Sequence, residues 1–302
     1  MTRIALKVDV DTLRGTREGV PRLASLLERL GVNATFLFSL GPDHTGWAIR
    51  RVFRRGFLGK VRRTSVVSQY GLKTLLYGTL LPGPHIGRRC GSLMKGIAQR
   101  GFETGIHTYD HVRWQDGVSG ADLAWTREQM RRAVDQYHSI FGARARIHGA
   151  AGWQVNSCVP ALQQEFGIEL ASDTRGVGPF LPCVAGKPAG PLQLPTTLPT
   201  LDELIGRADL SSRDPVDHLL SLTAVEPRRD QVYTLHAEIE GAAYLTAFER
   251  LLTEWQRQRY QLGTLSDLRA SLSPGDLPRC PIVNGSVPGR SGTLAWQGEP
   301  LR

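Results

Sequence analysis

Two pairs of residues in this chain have the types and spacing of a reactive site: Asp9 and Asp11 in Lys7-Val8-Asp9-Val10-Asp11, and His107 and His111 in His107-Thr108-Tyr109-Asp110-His111. Side chains alternate faces along a strand, so Leu6, Val8 and Val10 share one side while Lys7, Asp9 and Asp11 share the other, the carboxylates about 7 Å apart. One carboxylate can hold a cation while its neighbour reaches a water on it. Histidines four apart point the same way on one helical turn. Two neutral imidazoles and one carboxylate leave positions open on a divalent ion, as hydrolysis requires. Taken singly, Asp-x-Asp also caps turns and helices, and His-x3-His also occurs on plain surfaces. Here each pair follows an apolar strand-like run, Ile4 to Val10 and Phe102 to Ile106, and their joint occurrence predicts a metal site with a base beside it.

Three further segments carry chemistry. In Val232-Tyr233-Thr234-Leu235-His236-Ala237-Glu238, alternation sets His236 on the polar face with Thr234 and Glu238, where it serves either as a proton donor or as a hydrogen-bonded rim residue. Asp173, in Ser172-Asp173-Thr174-Arg175-Gly176, orients that histidine, binds substrate or forms a turn. In His148-Gly149-Ala150-Ala151-Gly152-Trp153 the small residues let a ligand approach backbone N–H groups and Trp153 offers an apolar or sugar-stacking face; loop packing accounts for the same residues.

Positioning these residues falls to a pattern of short apolar runs alternating with amphipathic helices. Strands are predicted at Ile4 to Val10, Ala34 to Leu40, Phe102 to Ile106, Arg144 to His148, Ile168 to Ser172, Leu192 to Pro195, Gln231 to His236 and Tyr260 to Leu262. Helices are predicted from Gly19 to Leu30, ending at Gly31, from Gly120 to Phe141, ending at Gly142, and from Ala243 to Gln258. Such alternation implies a mostly parallel sheet. In a barrel, function gathers at the C-terminal strand ends, and Asp9, Asp11, His107, His148, Asp173 and His236 all fall there. From Ser273 the chain turns Pro/Gly-rich, which predicts a tail over 273–302 that wraps the domain or is partly disordered.

A chain of 302 residues that is 41% hydrophobic can bury a core as one large domain or two smaller ones. Cys90, Cys158, Cys183 and Cys280 lack zinc-ribbon spacing and suggest reduced thiols. Neither a signal peptide nor an apolar run of the roughly 20 residues that span a bilayer is evident, so a cytoplasmic chain is expected. Net charge is +9, yet all of it comes from one segment: between Asp43 and Glu103 there are twelve basic residues and no acidic one, while elsewhere 28 acidic residues outnumber the basic ones. That balance, without a recognised binding motif, argues against nucleic acid.

In this order, the residues resemble the polysaccharide deacetylase (NodB-homology, carbohydrate esterase family 4) superfamily, whose second motif is His-[Ser/Thr]-x2-His. Longer blocks, Val8-Asp9-Val10-Asp11-Thr12-Leu13-Arg14-Gly15-Thr16-Arg17-Glu18-Gly19-Val20-Pro21, Ser172-Asp173-Thr174-Arg175-Gly176, Leu194-Pro195-Thr196-Thr197-Leu198-Pro199-Thr200, His236-Ala237-Glu238-Ile239-Glu240-Gly241 and Val287-Pro288-Gly289-Arg290, are similar to the 4-deoxy-4-formamido-L-arabinose-phosphoundecaprenol deformylases. The resemblance implies a distorted (β/α) barrel of seven or eight strands over residues 1–272, with a basic, amphipathic helical insertion within 44–102. It implies that Asp11, His107 and His111 hold a divalent ion (zinc, cobalt, manganese or iron), that Asp9 is general base and that His236 protonates the departing amine. Substrate would meet Ala151, Gly152, Trp153, Asp173 and Arg175, with an oxyanion resting in part on a backbone N–H near Ala151 or Gly152. One departure stands out: the superfamily's third motif usually brings an Arg to the base, the Ala150 to Trp153 segment has none, and Arg175 is the nearest substitute.

A lipid-linked sugar phosphate lies at an anionic membrane, which gives the basic segment a use. Trp47, Phe53 and Phe57 form an apolar side flanked by Arg50, Arg51, Arg54 and Arg55, the mark of an interfacial helix gaining roughly 1 kcal/mol per basic residue; a surface helix with its apolar side in the core has the same pattern. The expected partners are thus that substrate and the cytoplasmic face of the bacterial inner membrane, with no obligate protein partner. A deacetylase of another N-acylated sugar and a metal-dependent glycosyltransferase using the Asp-x-Asp are the alternatives.

Overall fold

The computed structural model describes residues 2–47, 74–184, 186–205, 207–210, 214–290 and 292–301. Of the residues expected at the membrane, Arg50, Arg51, Phe53, Arg54, Arg55 and Phe57 lie outside the described residues, while Trp47 is among them.

The apolar runs form the parallel strands β1 (Arg3–Val10), β2 (Thr35–Ser39), β3 (Glu103–Thr108), β4 (Ile147–His148) and β5 (Leu170–Ala171). Beyond β6 (Leu181–Val184) and β7 (Lys187–Pro188), the same sheet continues with β8 (Leu192–Gln193), β9 (Gln231–His236) and β10 (Gln261–Gly263). β1 is flanked by β2 and β9, with β10 along its first residues, and from β2 the order runs β3, β4, β5, β8. Past β8 the chain reaches back to the opposite edge: Thr197 and Leu198 N–H donate to Val232 O at 3.1 and 3.3 Å. The sheet is thereby curled into a (β/α) barrel. Three of its strands, β4, β5 and β8, are only two residues long, shorter than their apolar runs predicted.

Alternation along β1 sorts its side chains. Leu6, Val8 and Val10 point outward into the main core, with Phe36 and Phe38 of β2, beneath helices Val20–Arg29, Ile86–Gln99 and Leu245–Arg257. Each such fully buried side chain contributes about 1.5–3 kcal/mol. Inside the barrel, Ala5 joins Leu37, Ile147, Leu170, Leu194 and Val232 in a plug sealed by Leu265 and Leu268 of helix Leu265–Ala270. Above that plug, Lys7 and then Asp9 face inward, both buried. Register completes the placement: Asp9 pairs with Leu37 of β2 on one side and with His236 of β9 on the other.

The helix stops agree with the expected punctuation. Gly31 (φ +64°) follows helix Val20–Arg29, and Gly142 (φ +68°) ends helix Leu123–Phe141, whose first turn Asp122 caps through Trp125 N–H. Between β1 and the first of these helices, Gly15–Gly19 takes a π-helical turn, a device that often shapes functional loops. The Pro/Gly-rich tail is more ordered than its composition suggested. β11 (Arg279–Gly285) and β12 (Leu294–Gln297) join β6 and β7 in a second sheet, ordered β12, β11, β6, β7. β11 is mostly exposed or half-buried and β12 mostly buried, and neither leaves an amphipathic period to read. Among the described residues, no helix is long and apolar enough to cross a membrane.

Gly19 sets how closely the first helix approaches the end of β9, because a methyl group there would overlap the Ala237 carbonyl. Backbone cannot yield as a flexible side chain does, so Gly19→Ala is expected to cost about 1–3 kcal/mol, read as a lowered denaturation midpoint; an unchanged midpoint would show that this packing has slack.

Candidate active site

Four strand ends and their following loops bring the reactive side chains together. His107 lies in β3 and His111 opens helix His111–Gly117, so the imidazoles meet across a strand-to-helix turn. The spacing had predicted a single helical turn; the reason for the difference is Asp110, whose Oδ1 accepts from Arg113 N–H at 3.1 Å and fixes the helix start at residue 111. Its other oxygen meets His44 Nδ1 at 2.6 Å. His107 Nδ1–H donates to Gly149 O at 2.7 Å, which leaves Nε2 with its lone pair facing inward. His107 Nε2 and His111 Nε2 stand 3.2 and 3.4 Å from Asp11 Oδ1.

These three residues present donor atoms all within 4.8 Å of one another, the one such group of metal-ligating side chains among the described residues. Their chemistry fits a divalent cation. Asp9 Oδ1 and Asp11 Oδ1 are buried with no hydrogen-bond donor among the described residues. Burial lowers the His111 pKa, against the pull of Asp11, and so favours the neutral, ligating imidazole. Burial acts to raise the Asp11 carboxyl, but His111 and His107 outweigh it and hold it well below the usual carboxylate range.

Asp9 Oδ2 lies 3.3 Å from Lys7 Nζ, and the same ammonium donates to Ser172 O at 3.0 Å. The cation beside the expected base is therefore Lys7, two residues upstream on the same strand face. Arg175 does not fill that place. Its guanidinium is buried with Glu203 Oε1 at 2.6 Å and donates to Thr196 O and Leu198 O at 3.2 and 3.0 Å. Across the rung from Asp9, His236 Nδ1 faces Asp202 Oδ1 at 3.7 Å, an ion-pair rather than a hydrogen-bond distance. Burial would lower the His236 pKa, yet Asp202, Asp11, Asp9 and Glu240 together push it up to about 9.

The residues expected to touch substrate divide by burial. Asp173 accepts from Ala150 N–H, Gln163 Nε2 and Gln193 Nε2 at 2.8, 2.7 and 3.0 Å and sits 2.8 Å from His148 Nδ1. It holds the 148–151 loop and orients His148, not His236. Trp153 is 1% exposed, with Nε1–H on Thr196 Oγ1 at 3.1 Å and Lys7, Arg175 and Arg290 within 5.3 Å of its ring centre. Such a ring has no face left for a sugar; it packs edge-on against His236. Gly152 and Trp153 both have positive φ, +62° and +53°, so the 151–153 turn carries backbone strain at the site. Ala151 is buried in that turn and Gly152 partly so.

Three residues that the motifs did not single out complete the site. Glu238 Oε1 accepts from Asp11 N–H, Thr12 N–H and Thr12 Oγ1 at 3.1, 2.9 and 2.8 Å and so clamps the loop that carries Asp11. Burial and the Asp11 charge push its carboxyl up to about 8. Lys7 was legible as a charge on the same strand face as Asp9. Asp202 lies in Thr200-Leu201-Asp202-Glu203, whose Thr-x-x-Glu spacing is the mark of the capping box it forms.

In fold, the chain matches a protein from Mycobacterium smegmatis named as a polysaccharide deacetylase, with a TM-score of 0.64 at 17% identity over 95% of both chains. The architecture is thus that of the polysaccharide deacetylases. By sequence, the chain belongs to the 4-deoxy-4-formamido-L-arabinose-phosphoundecaprenol deformylase family: it is 33% identical to a protein of that name from Shewanella sediminis, over 100% of this chain and 96% of the other. A second protein so named, from Wigglesworthia glossinidia brevipalpis, is 31% identical over 95% of this chain and 100% of its own. No family model matches the chain. It is a hydrolase of amide bonds, which removes the glycosyltransferase alternative.

His236 gains its charge from the carboxylates around it, so in the metal-free protein it stays protonated through neutral pH and gives up its proton only as pH rises through about 9. Asp202→Asn removes the largest of those carboxylate effects, and the ring should then titrate at lower pH. NMR of the imidazole protons reads this directly; an unmoved titration would uncouple Asp202 from His236.

Proposed function

We propose that this protein removes the formyl group from undecaprenyl phosphate-linked 4-deoxy-4-formamido-L-arabinose, releasing formate and the 4-amino sugar used in the lipid A modification that confers polymyxin resistance. One observation carries the reading: a parallel register that sets Asp9 and His236 on one rung beside the Asp11, His107 and His111 group, in a chain similar along its whole length to named deformylases.

Asp11, His107 and His111 hold a divalent metal in this reading, and zinc, cobalt, manganese and iron all suit such a set. Once bound, the ion supplies positive charge that polarises the acyl oxygen and acidifies water. Asp9, aimed by Lys7, takes a proton from the attacking water as the new C–O bond forms at the formyl carbon. Backbone N–H groups of the 151–152 turn face the oxygen as negative charge grows on it. His236, whose charged form Asp202 favours, gives its proton to the amine nitrogen as the C–N bond breaks. Trp153, Asp173 and Arg175 act from behind, as supports of that geometry.

The substrate's lipid calls for a membrane surface, and we assign that role, at the cytoplasmic face of the inner membrane, to the basic segment between Asp43 and Glu103. Leu80 is 81% exposed, Leu81 37% and Trp47 36%. Trp47 donates through Nε1 to Gly78 O and stacks on His44.

Mass spectrometry of the undecaprenyl-linked formamido sugar should show formate loss that chelation abolishes, with an N-acetyl sugar as control. Asp9→Asn should keep its metal while losing about 10²–10⁴-fold in rate; preference for the acetyl sugar would redirect the proposal to a deacetylase, and activity after complete metal removal would end the metal reading. Replacing Arg50, Arg51, Arg54 and Arg55 by Ala should weaken flotation with anionic vesicles and spare metal content. Unchanged flotation would return that segment to the core.

A further inference from the structure

The Pro/Gly-rich tail crosses the back of the site instead of leaving the barrel. Arg175 N–H donates to Ala295 O and Gln297 N–H to Arg175 O, at 2.9 and 2.8 Å, so β12 is tied to the segment that carries Asp173. Gln154 Nε2 donates to Thr293 O at 2.7 Å, and Val287 and Leu294 pack against Trp153. Between them, Arg290 forks across two adjacent carboxylates: Nε donates to Glu203 Oε1 at 2.9 Å and Nη2 to Asp202 Oδ2 at 3.1 Å, with the guanidinium 4.4 Å from the centre of the Trp153 ring. The approach depends on Gly289, whose φ is +89° and where a methyl group would overlap the Glu203 carbonyl oxygen.

We propose that residues 279–290 and 292–297 form a strap belonging to the catalytic apparatus, in which Arg290 is the positioning residue that holds Asp202 in place against His236. This rests on the reading of His236 as the proton donor. Glu203 already has a cation in Arg175, whereas Asp202 meets Arg290 with one oxygen and His236 with the other. Oδ1 also accepts from the Thr200 hydroxyl, so Arg290 on Oδ2 and Thr200 on Oδ1 together set the direction in which Oδ1 faces. His236 Nδ1 is thereby held toward Asp202, which turns the opposite ring nitrogen toward the rung it shares with Asp9. A lysine at this position would carry the charge but not the planar fork that spans both carboxylates.

The test uses the full-length, metal-loaded chain and the lipid-linked formamido sugar. Arg290→Gln is expected to lower kcat by 10- to 100-fold, with KM within twofold and metal content unchanged. Arg290→Lys, which keeps the charge and spares the fold, should lose nearly as much. In an Asp202→Asn background, Arg290→Gln should cost no further kcat, because the residue it acts through is gone. A purely structural strap would lower the thermal midpoint while leaving kcat per folded molecule intact, and that result would overturn the proposal. So would an equal loss in both backgrounds, or a rise in KM alone, which would make Arg290 a substrate contact. His236→Ala separates the two readings: if it keeps its kcat, the proton-donor assignment fails; if it loses kcat while Arg290→Gln does not, the strap alone fails.

Discussion

An ammonium group cut off from water has to be balanced inside the protein, and Lys7 is such a group, with no exposed surface. Its partners are Asp9 and the carbonyl of Ser172, and the removal of either leaves a buried charge short of a partner, which costs several kcal/mol. The pairing also forbids the commonest error of a strand. A slip of one residue would turn Lys7 and Asp9 out beneath apolar helices and bring Leu6 and Val8 inward. With β1 locked in this way, its neighbours inherit their places: Leu37 and His236 fall opposite Asp9, and Asp11 emerges at the rim where His107 and His111 converge.

Around that centre the polar groups are satisfied in closed sets. Asp173 ties His148, Gln163, Gln193 and the backbone of Ala150 together. Arg175 does the same for Glu203 and two carbonyls, and Glu238 for the loop after β1. Networks of this kind rigidify a site when complete and destabilise it when broken. Among the described residues, the buried polar atoms without a partner include Asp9 Oδ1, Asp11 Oδ1, His236 Nδ1 and Glu238 Oε2, all at the site; others, such as His218 Nδ1, lie away from it.

Much of this was legible in the sequence, for identifiable reasons. β1, β2, β3 and β9 have clear apolar runs because each buries whole side chains against helices, and the glycines at 31 and 142 mark helix ends through their positive φ. Asp9, Asp11, His107, His111 and His236 stood at predicted strand ends. What escaped was set by distance along the chain. No local pattern reveals that Asp202 faces His236, or that Arg175 is taken up by Glu203 rather than reaching Asp9, since both depend on how separate segments meet. The second sheet escaped for another reason: its strands are mostly short, one only two residues long and another carrying Pro281, and leave little trace in hydropathy.

The first strand of this fold meets a segment far along the chain. Arg3 N–H donates to Asp230 and Asp11 N–H to Glu238, each pair 227 positions apart. Contacts so remote in sequence form late, since loop closure must come before any pairing is gained. At synthesis rates of about 5–20 residues per second, the first strand waits for many seconds on the ribosome without the neighbour that completes its rung. The hydrolytic centre therefore cannot close until His236 has been made, and in the interval the lysine on β1 has Asp9 beside it on the same strand but not yet the carbonyl of Ser172.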